Sequence, residues 1–356
     1  MRRYLVSVIT GRRKGPAAAV VRGILWVFSL AYAALHGLRR LFYAIGILRT
    51  VKLPVPVVSV GNLTAGGTGK SPFVEHLARW FTRKNLRVAI VARGYGKIDG
   101  SRDDEELSAE LDHVARFTDR DRVAAAKRAI AEFKPDVIVL DDGFQHYRLE
   151  RDLDIVLVDA TDPFSGGRLL PAGLLRERPS AASRADFVVI TRADQAPPEE
   201  LASLRASLDR LAPGVARAET AHKPVAVRML FNKKRHGLDW LKSRALLAFC
   251  GIGNAESFRR TIEAAGGRVE KFIAFEDHHR YTPADVRMLN AEAQEFMAEA
   301  LVTTEKDATK LDPEAFALPL AALRIEIDVL RGEPALEAEL QSLVQPAAPV
   351  AAASAR

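Results

Sequence analysis

Cysteine is nearly missing from this chain. Cys250 stands alone among 356 residues, which excludes an intrachain disulfide and a cysteine-built metal site. That usage is compatible with a reducing, cytoplasmic setting. Acidic residues are outnumbered, 45 against 52 basic, and the resulting charge of +7 calls for an anionic partner. A phosphorylated substrate, a nucleic acid or an anionic membrane face would each serve. Long apolar runs are scarce too. The uninterrupted stretch from Gly23 to Leu35 would extend only about 20 Å as a helix, short of a hydrocarbon core of about 30 Å. No internal repeat shows beyond a general alternation of strand and helix. What remains, 48% hydrophobic and 27% charged residues, is the balance of a globular protein with room for two cores.

The organising stretch is Val57 to Ser71. A β-branched run ends in Thr64-Ala65-Gly66-Gly67-Thr68-Gly69-Lys70-Ser71 and enters an amphipathic segment, Pro72 to Phe81. Strand, glycine-rich loop and helix in that order make a phosphate-binding P-loop. Its backbone N–H groups turn toward an anion, and the helix N-terminus adds partial positive charge. In this motif Lys70 reaches the β- and γ-phosphates and the Ser71 hydroxyl ligates Mg²⁺. Pro72 suits the first helical turn, where a missing N–H costs nothing. The usual motif opens with glycine, whereas this chain has Thr64.

Around the short apolar run lie Arg12, Arg13, Lys14 and Arg22 on one side and Arg39, Arg40, Arg49 and Lys52 on the other. With Trp26 and Tyr32 inside it, segment 1–53 reads as a helix inserted shallowly at an anionic membrane surface. The competing readings are a helix packed on the domain and a secretory signal ending near Ala31-Tyr32-Ala33. Export would strand a nucleotide site outside the cytoplasm. From 54 to 222, near-continuous Val/Ile/Leu strands alternate with helices, as in a parallel sheet covered on both faces. From Leu246 the same rhythm restarts, with strands at 246–250, 269–275, 301–304 and 322–329. The expected fold is therefore α/β: a P-loop domain (54–222), a smaller second α/β domain (223–344), an N-terminal membrane-associated helix, and a disordered tail (345–356).

Candidate chemistry sits at strand ends. Asp141-Asp142 follow the apolar strand 136–140, where a carboxylate can hold Mg²⁺. His146 continues that loop. Asp103-Asp104-Glu105-Glu106 follow the second strand, and an acid there can accept a hydroxyl proton. Arg176, in Pro171 to Glu177, can stabilise charge on a transferring phosphoryl group. Asp277-His278-His279 follow a strand of the second unit. Zinc-binding helices space histidines four residues apart, so the adjacent pair favours proton transfer or substrate contact over zinc. Thr303-Thr304-Glu305-Lys306-Asp307 closes a strand with charge that reads as exposed. Thr191-Arg192-Ala193-Asp194 faintly matches a guanine-reading motif, which supports an alternative: a P-loop NTPase switch binding a protein partner.

Taken in order, Thr64 to Pro72, Arg93-Gly94-Tyr95-Gly96, Asp104-Glu105, Asp141 to His146, Pro171 to Glu177, Asp277-His278-His279 and Thr303 to Asp307 resemble the tetraacyldisaccharide 4′-kinases. The resemblance runs from about 54 to 311 and includes the apolar, basic N-terminal segment; Thr64 in place of glycine is that family's form. It implies transfer of the γ-phosphate of ATP, with Mg²⁺, to the 4′-hydroxyl of tetraacyldisaccharide 1-phosphate, giving lipid IVA in lipid A biosynthesis. The enzyme would work at the cytoplasmic face of the inner membrane, without nucleic acid and without an obligate protein partner. Carried over, residues 64–71 bind ATP. Ser71, Asp141, Asp142 and His146 form the metal region. Asp104 is the catalytic acid/base with His278 as its partner, beside Lys70 and Arg176. The stretch between Tyr95 and Asp104 is shorter than the family's, and Asp103 stands where the family has glycine, so either acid could fill that position.

Overall fold

The structure, a computed structural model, describes residues 8–9, 13–94, 113–242 and 244–344. Asp103, Asp104, Tyr95, Gly96 and the tail from Gln345 lie outside the described residues. Apolar strands meet in one continuous sheet. Starting from one edge, its order is β10 (Arg268–Ala274), β9 (Ala245–Cys250), β11 (Ala300–Thr304), β12 (Leu320–Arg331), β7 (Ala216–Met229), β6 (Phe187–Thr191) and β5 (Leu153–Asp159). It continues with β1 (Val57–Asn62), β4 (Val137–Asp141), β2 (Val88–Arg93) and β3 (Val114–Asp119), and the short β8 (Arg235–His236) pairs β7.

Strands β1 to β6 pair in parallel and so do β9, β10 and β11 with β12, but β12 meets β7 antiparallel. The pairing geometry decides where the site is. Along β7, the first half ends at Glu219 opposite Ile190, while the carboxyl end of the second half arrives at Val227, opposite Leu323 beside Thr304. Both parallel halves therefore aim their carboxyl edges into one cleft, which is where open α/β sheets bind ligands. The division expected at residue 222 falls inside β7, so one strand belongs to both units.

Helices α2 (Lys70–Arg83) and α7 (Glu333–Val344) cover one face of the first half, burying Phe73, Leu77, Phe81, Leu336 and Leu340. The other face carries α3 (Arg122–Phe133), through Val123, Ala126 and Ala129, and α4 (Pro198–Leu211), through Leu204 and Leu208. Capping defines the starts. The Asp121 carboxylate accepts from Val123 N at 3.0 Å ahead of α3. In the second half, Asn254 caps α5 (Ala255–Ala264), and Thr282 with Asp285 forms a capping box before Pro283 at the start of α6 (Pro283–Glu295).

Helix α1 corrects the length expectation. It runs Pro16–Ala44, 29 residues and about 43 Å at 1.5 Å per residue, and it is long and apolar enough to cross a membrane. The apolar run reads as too short because Arg22 and His36 bound it, yet the helix continues past both. One line of α1 (Ser29, Tyr32, His36, Tyr43) docks on the body, while Val27, Phe28 and Leu35 are 59%, 59% and 69% exposed. No Asp or Glu occurs before Glu75.

Phe73 is fully buried between α2 and the sheet. Phe73→Ala should lower unfolding free energy by about 3–5 kcal/mol, measured by urea denaturation; a loss under 1 kcal/mol would mean that this face is not a packed core.

Candidate active site

The loop after β1 is fixed from below by polar groups on the sheet. Asn62, fully buried, donates from Nδ2 to Thr68 Oγ1 at 2.9 Å. Thr191, at the end of β6, donates from Oγ1 to the Thr68 carbonyl at 2.9 Å. Gly69 holds a left-handed backbone at φ 85°, and a Cβ there would stand 2.8 Å from His222 Nε2. Glycine is thus required twice over at 69, by torsion and by space. The turn Gly251-Ile252-Gly253-Asn254 of the second half presses on the same loop. A Cβ on Gly253 would lie 2.4 Å from Gly67 N. Asn254 Nδ2 donates to Asp159 Oδ2 at 3.0 Å and Thr161 Oγ1 at 2.9 Å, so the turn is pinned to both halves. A cleft of about 680 Å³ opens beside residues 64–68 and is also lined by Asp159, Asn254 and Arg260.

At the mouth of the loop, Asp142 takes a positive φ of 56° and directs one carboxylate oxygen at two cations. Oδ1 lies 2.6 Å from Arg176 Nη1 and 3.6 Å from Lys70 Nζ. Burial works against ionising Asp142, but Lys70 and Arg176 outweigh it and hold the carboxyl below its ordinary range. For Lys70 the balance reverses: burial lowers its ammonium pKa, and the attraction of Asp142 does not fully offset it, with Arg176 adding repulsion. Asp141 turns elsewhere, its Oδ2 3.4 Å from Arg116 Nη2 on β3. Ser71 is exposed at the start of α2. The His146 Nε2 is buried without a hydrogen-bond partner. Among the described residues no three of His, Cys, Asp and Glu converge as a metal-ligand group. A hard Mg²⁺ ion needs fewer, since it takes one or two carboxylates with phosphate oxygens and water. Ser71 and Asp142 fit that requirement by donor chemistry.

The histidine pair divides. His279 Nε2 lies 3.1 Å from Asp285 Oδ2, in the capping box of α6, and its ring stacks on Phe275 at 4.5 Å; it is structural. His278 has φ 59°, is exposed, and its backbone N–H donates to the Gly251 carbonyl at 3.0 Å, beside the turn that touches the P-loop. Asp307 overturns the exposed-charge expectation for 303–307. It is fully buried, and accepts from Gly251 N at 2.8 Å, Thr304 Oγ1 at 2.8 Å and Lys310 Nζ at 2.9 Å. Three donors offset its desolvation. Arg192 of the guanine-like motif is only 4% exposed and ion-paired with Asp159, so it is not presented to a base.

Sequence reasoning missed Asn62, His222 and the turn at 251–254. Gly251-x-Gly253 directly after a strand was the available signal for the turn. Asn62 and His222 carried none, because each matters only through pairing across the sheet.

A glycine-rich loop between a central parallel strand and a helix, with a lysine, an arginine and a carboxylate gathered at its mouth, defines a P-loop phosphate-binding protein. The family model LpxK, tetraacyldisaccharide-1-P 4′-kinase, matches residues 21–345, and the chain belongs to that family. It is 38% identical over 349 residues to the tetraacyldisaccharide 4′-kinase of Anaeromyxobacter dehalogenans (strain 2CP-C), covering 92% of each chain. It is also 38% identical over 332 residues to that of Syntrophus aciditrophicus (strain SB), covering 86% of this chain and 89% of the relative. Among solved structures it is similar to the "apo" form of LpxK from Aquifex aeolicus in complex with ATP. The TM-score is 0.71 and the identity 31%, over 91% of this chain and 100% of the other.

The buried histidines supply a pH test. Burial, with Arg192 nearby, takes His222 down to about 3; burial, with Arg122 and other cations, takes His146 to about 4. Each stays neutral in the fold but binds a proton near pH 6.5 when unfolded. The stability this supports is complete above pH 6.5 and is lost as pH falls toward the folded values. Between pH 6 and 5, His222→Gln should remove about 1.4 kcal/mol per pH unit from the slope of unfolding free energy. Urea titrations at a series of pH values measure this; equal slopes in variant and wild type would show that His222 is charged in the fold.

Proposed function

We propose that ATP binds on residues 64–71 and that the cleft passes its γ-phosphoryl group to a glycolipid hydroxyl at a membrane surface. Membership of the family makes the chain an ATP-dependent tetraacyldisaccharide 4′-kinase acting on a lipid A precursor. The observation that carries the assignment of roles is the convergence of Lys70 and Arg176 on one oxygen of Asp142. Two cations that already share an anionic oxygen can transfer that attraction to the oxygens of a phosphoryl group, in a water-poor site where it is strongest.

In this reading Lys70 takes the β- and γ-phosphates, Arg176 takes charge developing on the transferring group, and the loop N–H groups of 64–71 cradle the phosphates. Asp142 and the Ser71 hydroxyl would hold Mg²⁺, with Asp141 and His146 flanking them. When bound, Mg²⁺ would supply neutralisation of the phosphate charge. Asp104 would accept the proton of the 4′-hydroxyl, with His278 orienting it or sharing the proton. Desolvation of its packed side and the nearby Lys306 hold the His278 imidazole below its ordinary pKa, which favours the neutral form. The exposed apolar side of α1, its basic flanks and the absence of acids before Glu75 support residence on an anionic surface, the cytoplasmic face of the inner membrane.

Incubation with labelled ATP and tetraacyldisaccharide 1-phosphate should place label in the lipid. Lys70→Ala should remove most of it, by at least about a hundredfold in kcat, since such electrostatic contributions are worth a few kcal/mol; near-normal turnover would sink the assignment of Lys70. Asp104→Asn should lower kcat by about a hundredfold with ATP binding retained. A dead Asp103→Asn enzyme beside an active Asp104→Asn enzyme would move the acid by one position.

A further inference from the structure

The apolar stretch 23–35 contains two hydroxyl side chains, Ser29 and Tyr32, and both point at one segment of the body. Ser29 is 6% exposed. Its single Oγ–H is within reach of the Leu169 carbonyl at 2.9 Å and, within the helix, of the Leu25 carbonyl at 3.0 Å; the oxygen accepts from Ala172 N at 3.0 Å. The Tyr32 hydroxyl donates to the carbonyl of Arg176 at 3.1 Å. The opposite side of that segment is bonded to the start of the P-loop. Arg176 N donates to the Leu63 carbonyl at 2.7 Å, Ala65 N donates to the Leu174 carbonyl at 2.6 Å, and Thr64 bridges Leu175 antiparallel. Residues 169–176 are therefore a strap held by α1 along one edge and by the phosphate loop along the other. Its own turn is tight. Leu170 N donates to the Leu175 carbonyl at 2.8 Å, and a Cβ on Gly173 would meet the Arg168 carbonyl at 2.2 Å, so the strap has little room to adjust by itself.

We propose that α1 is part of the catalytic apparatus as well as a surface anchor. Ser29 and Tyr32 are positioning residues that, through the strap, set the backbone of Arg176 and the first residues of the P-loop. Anchoring through exposed apolar and basic side chains does not require a buried serine hydroxyl and a half-buried tyrosine hydroxyl turned toward the body. Each is committed to backbone atoms of the strap, and Arg176, whose guanidinium reaches Asp142, is held at its carbonyl by the same helix. Displacement of α1 moves Arg176 relative to Lys70. The proposal rests on the kinase reading above and adds that the anchor helix controls the chemistry.

The test uses the full chain, tetraacyldisaccharide 1-phosphate dispersed in detergent micelles, and labelled ATP, so that partition into a bilayer does not limit the rate. Tyr32→Phe and Ser29→Ala should each lower kcat by about threefold to tenfold, the ordinary worth of one hydrogen bond. The KM for ATP should stay within about twofold, because Lys70 and α2 are untouched, and pelleting with anionic vesicles and Tm should not change. Arg176→Lys should absorb the Tyr32→Phe effect, so that the double variant is no slower than Arg176→Lys alone. Unchanged kcat in both single variants would overturn the proposal. So would a fall in kcat that follows a fall in Tm and persists undiminished in the Arg176→Lys background. A wild-type protein that labels no lipid would instead overturn the kinase reading on which it stands.

Discussion

Antiparallel pairing of β7 with β12 is the constraint from which the site's geometry follows. Two parallel halves could each present a carboxyl edge in any direction. Joining them through two long strands running opposite ways forces those edges toward each other, and the residues of β7 between Glu219 and Val227 cross the gap. His222 lies in that crossing and fills the space beneath Gly69. The turn 251–254, at the end of β9, reaches the P-loop for the same reason. A shift of register by one residue would turn His222 to the other face of the sheet and open a cavity under the loop.

Two carboxylates show how the cleft handles buried charge. Asp307 has its oxygens satisfied by donors from one compact region, and acts as a fixed post for Gly251. Asp142 has two cations on one oxygen, and in the proposed reading both would also serve a phosphate. Breaking a buried pair by removing one member leaves an uncompensated charge, whereas exchanging partners does not. Asp307 is a fixed structural charge, whereas the proposed reading has Asp142 exchange its partners.

Much of this was legible in the sequence because local patterns carried it. The P-loop, the acidic end of β4 and most strands follow from apolar runs, whereas β3 (Val114–Asp119), with its alternating charged residues, does not stand out. The length of α1 was not, since charged residues inside a helix look like its boundary when composition is read in windows. Asp307 was misread for a related reason. A Glu-Lys-Asp run looks solvated, and only the approach of Gly251 from a strand more than fifty residues earlier buries it. His278 and His279 look equivalent in sequence, but the capping box of α6 claims one and leaves the other exposed beside the turn at Gly251. The boundary expected at 222 falls inside a strand because an extended crossing shared by both halves of one sheet has the composition of a linker with apolar residues.

The docking line of α1 limits how the helix can meet lipid. Tyr43 and His36 lie against the buried Tyr147 at centroid distances of 5.7 and 6.1 Å, and Tyr147 in turn donates to Glu177 Oε2 at 3.2 Å. Glu177 also accepts from Gln145 and Arg184, and Gln145 reaches the Asn62 carbonyl at the base of the P-loop. Standing upright across a bilayer would strip the helix from these contacts and leave the hydroxyls of Ser29 and Tyr32 without partners in hydrocarbon, at a cost of several kcal/mol. In the proposed surface arrangement the helix would keep all of them and leave the exposed Val27, Phe28 and Leu35 to enter lipid. Length alone permits either arrangement; the hydrogen bonds favour the second. With the helix docked, the strap 169–176 links it directly to the start of the phosphate loop.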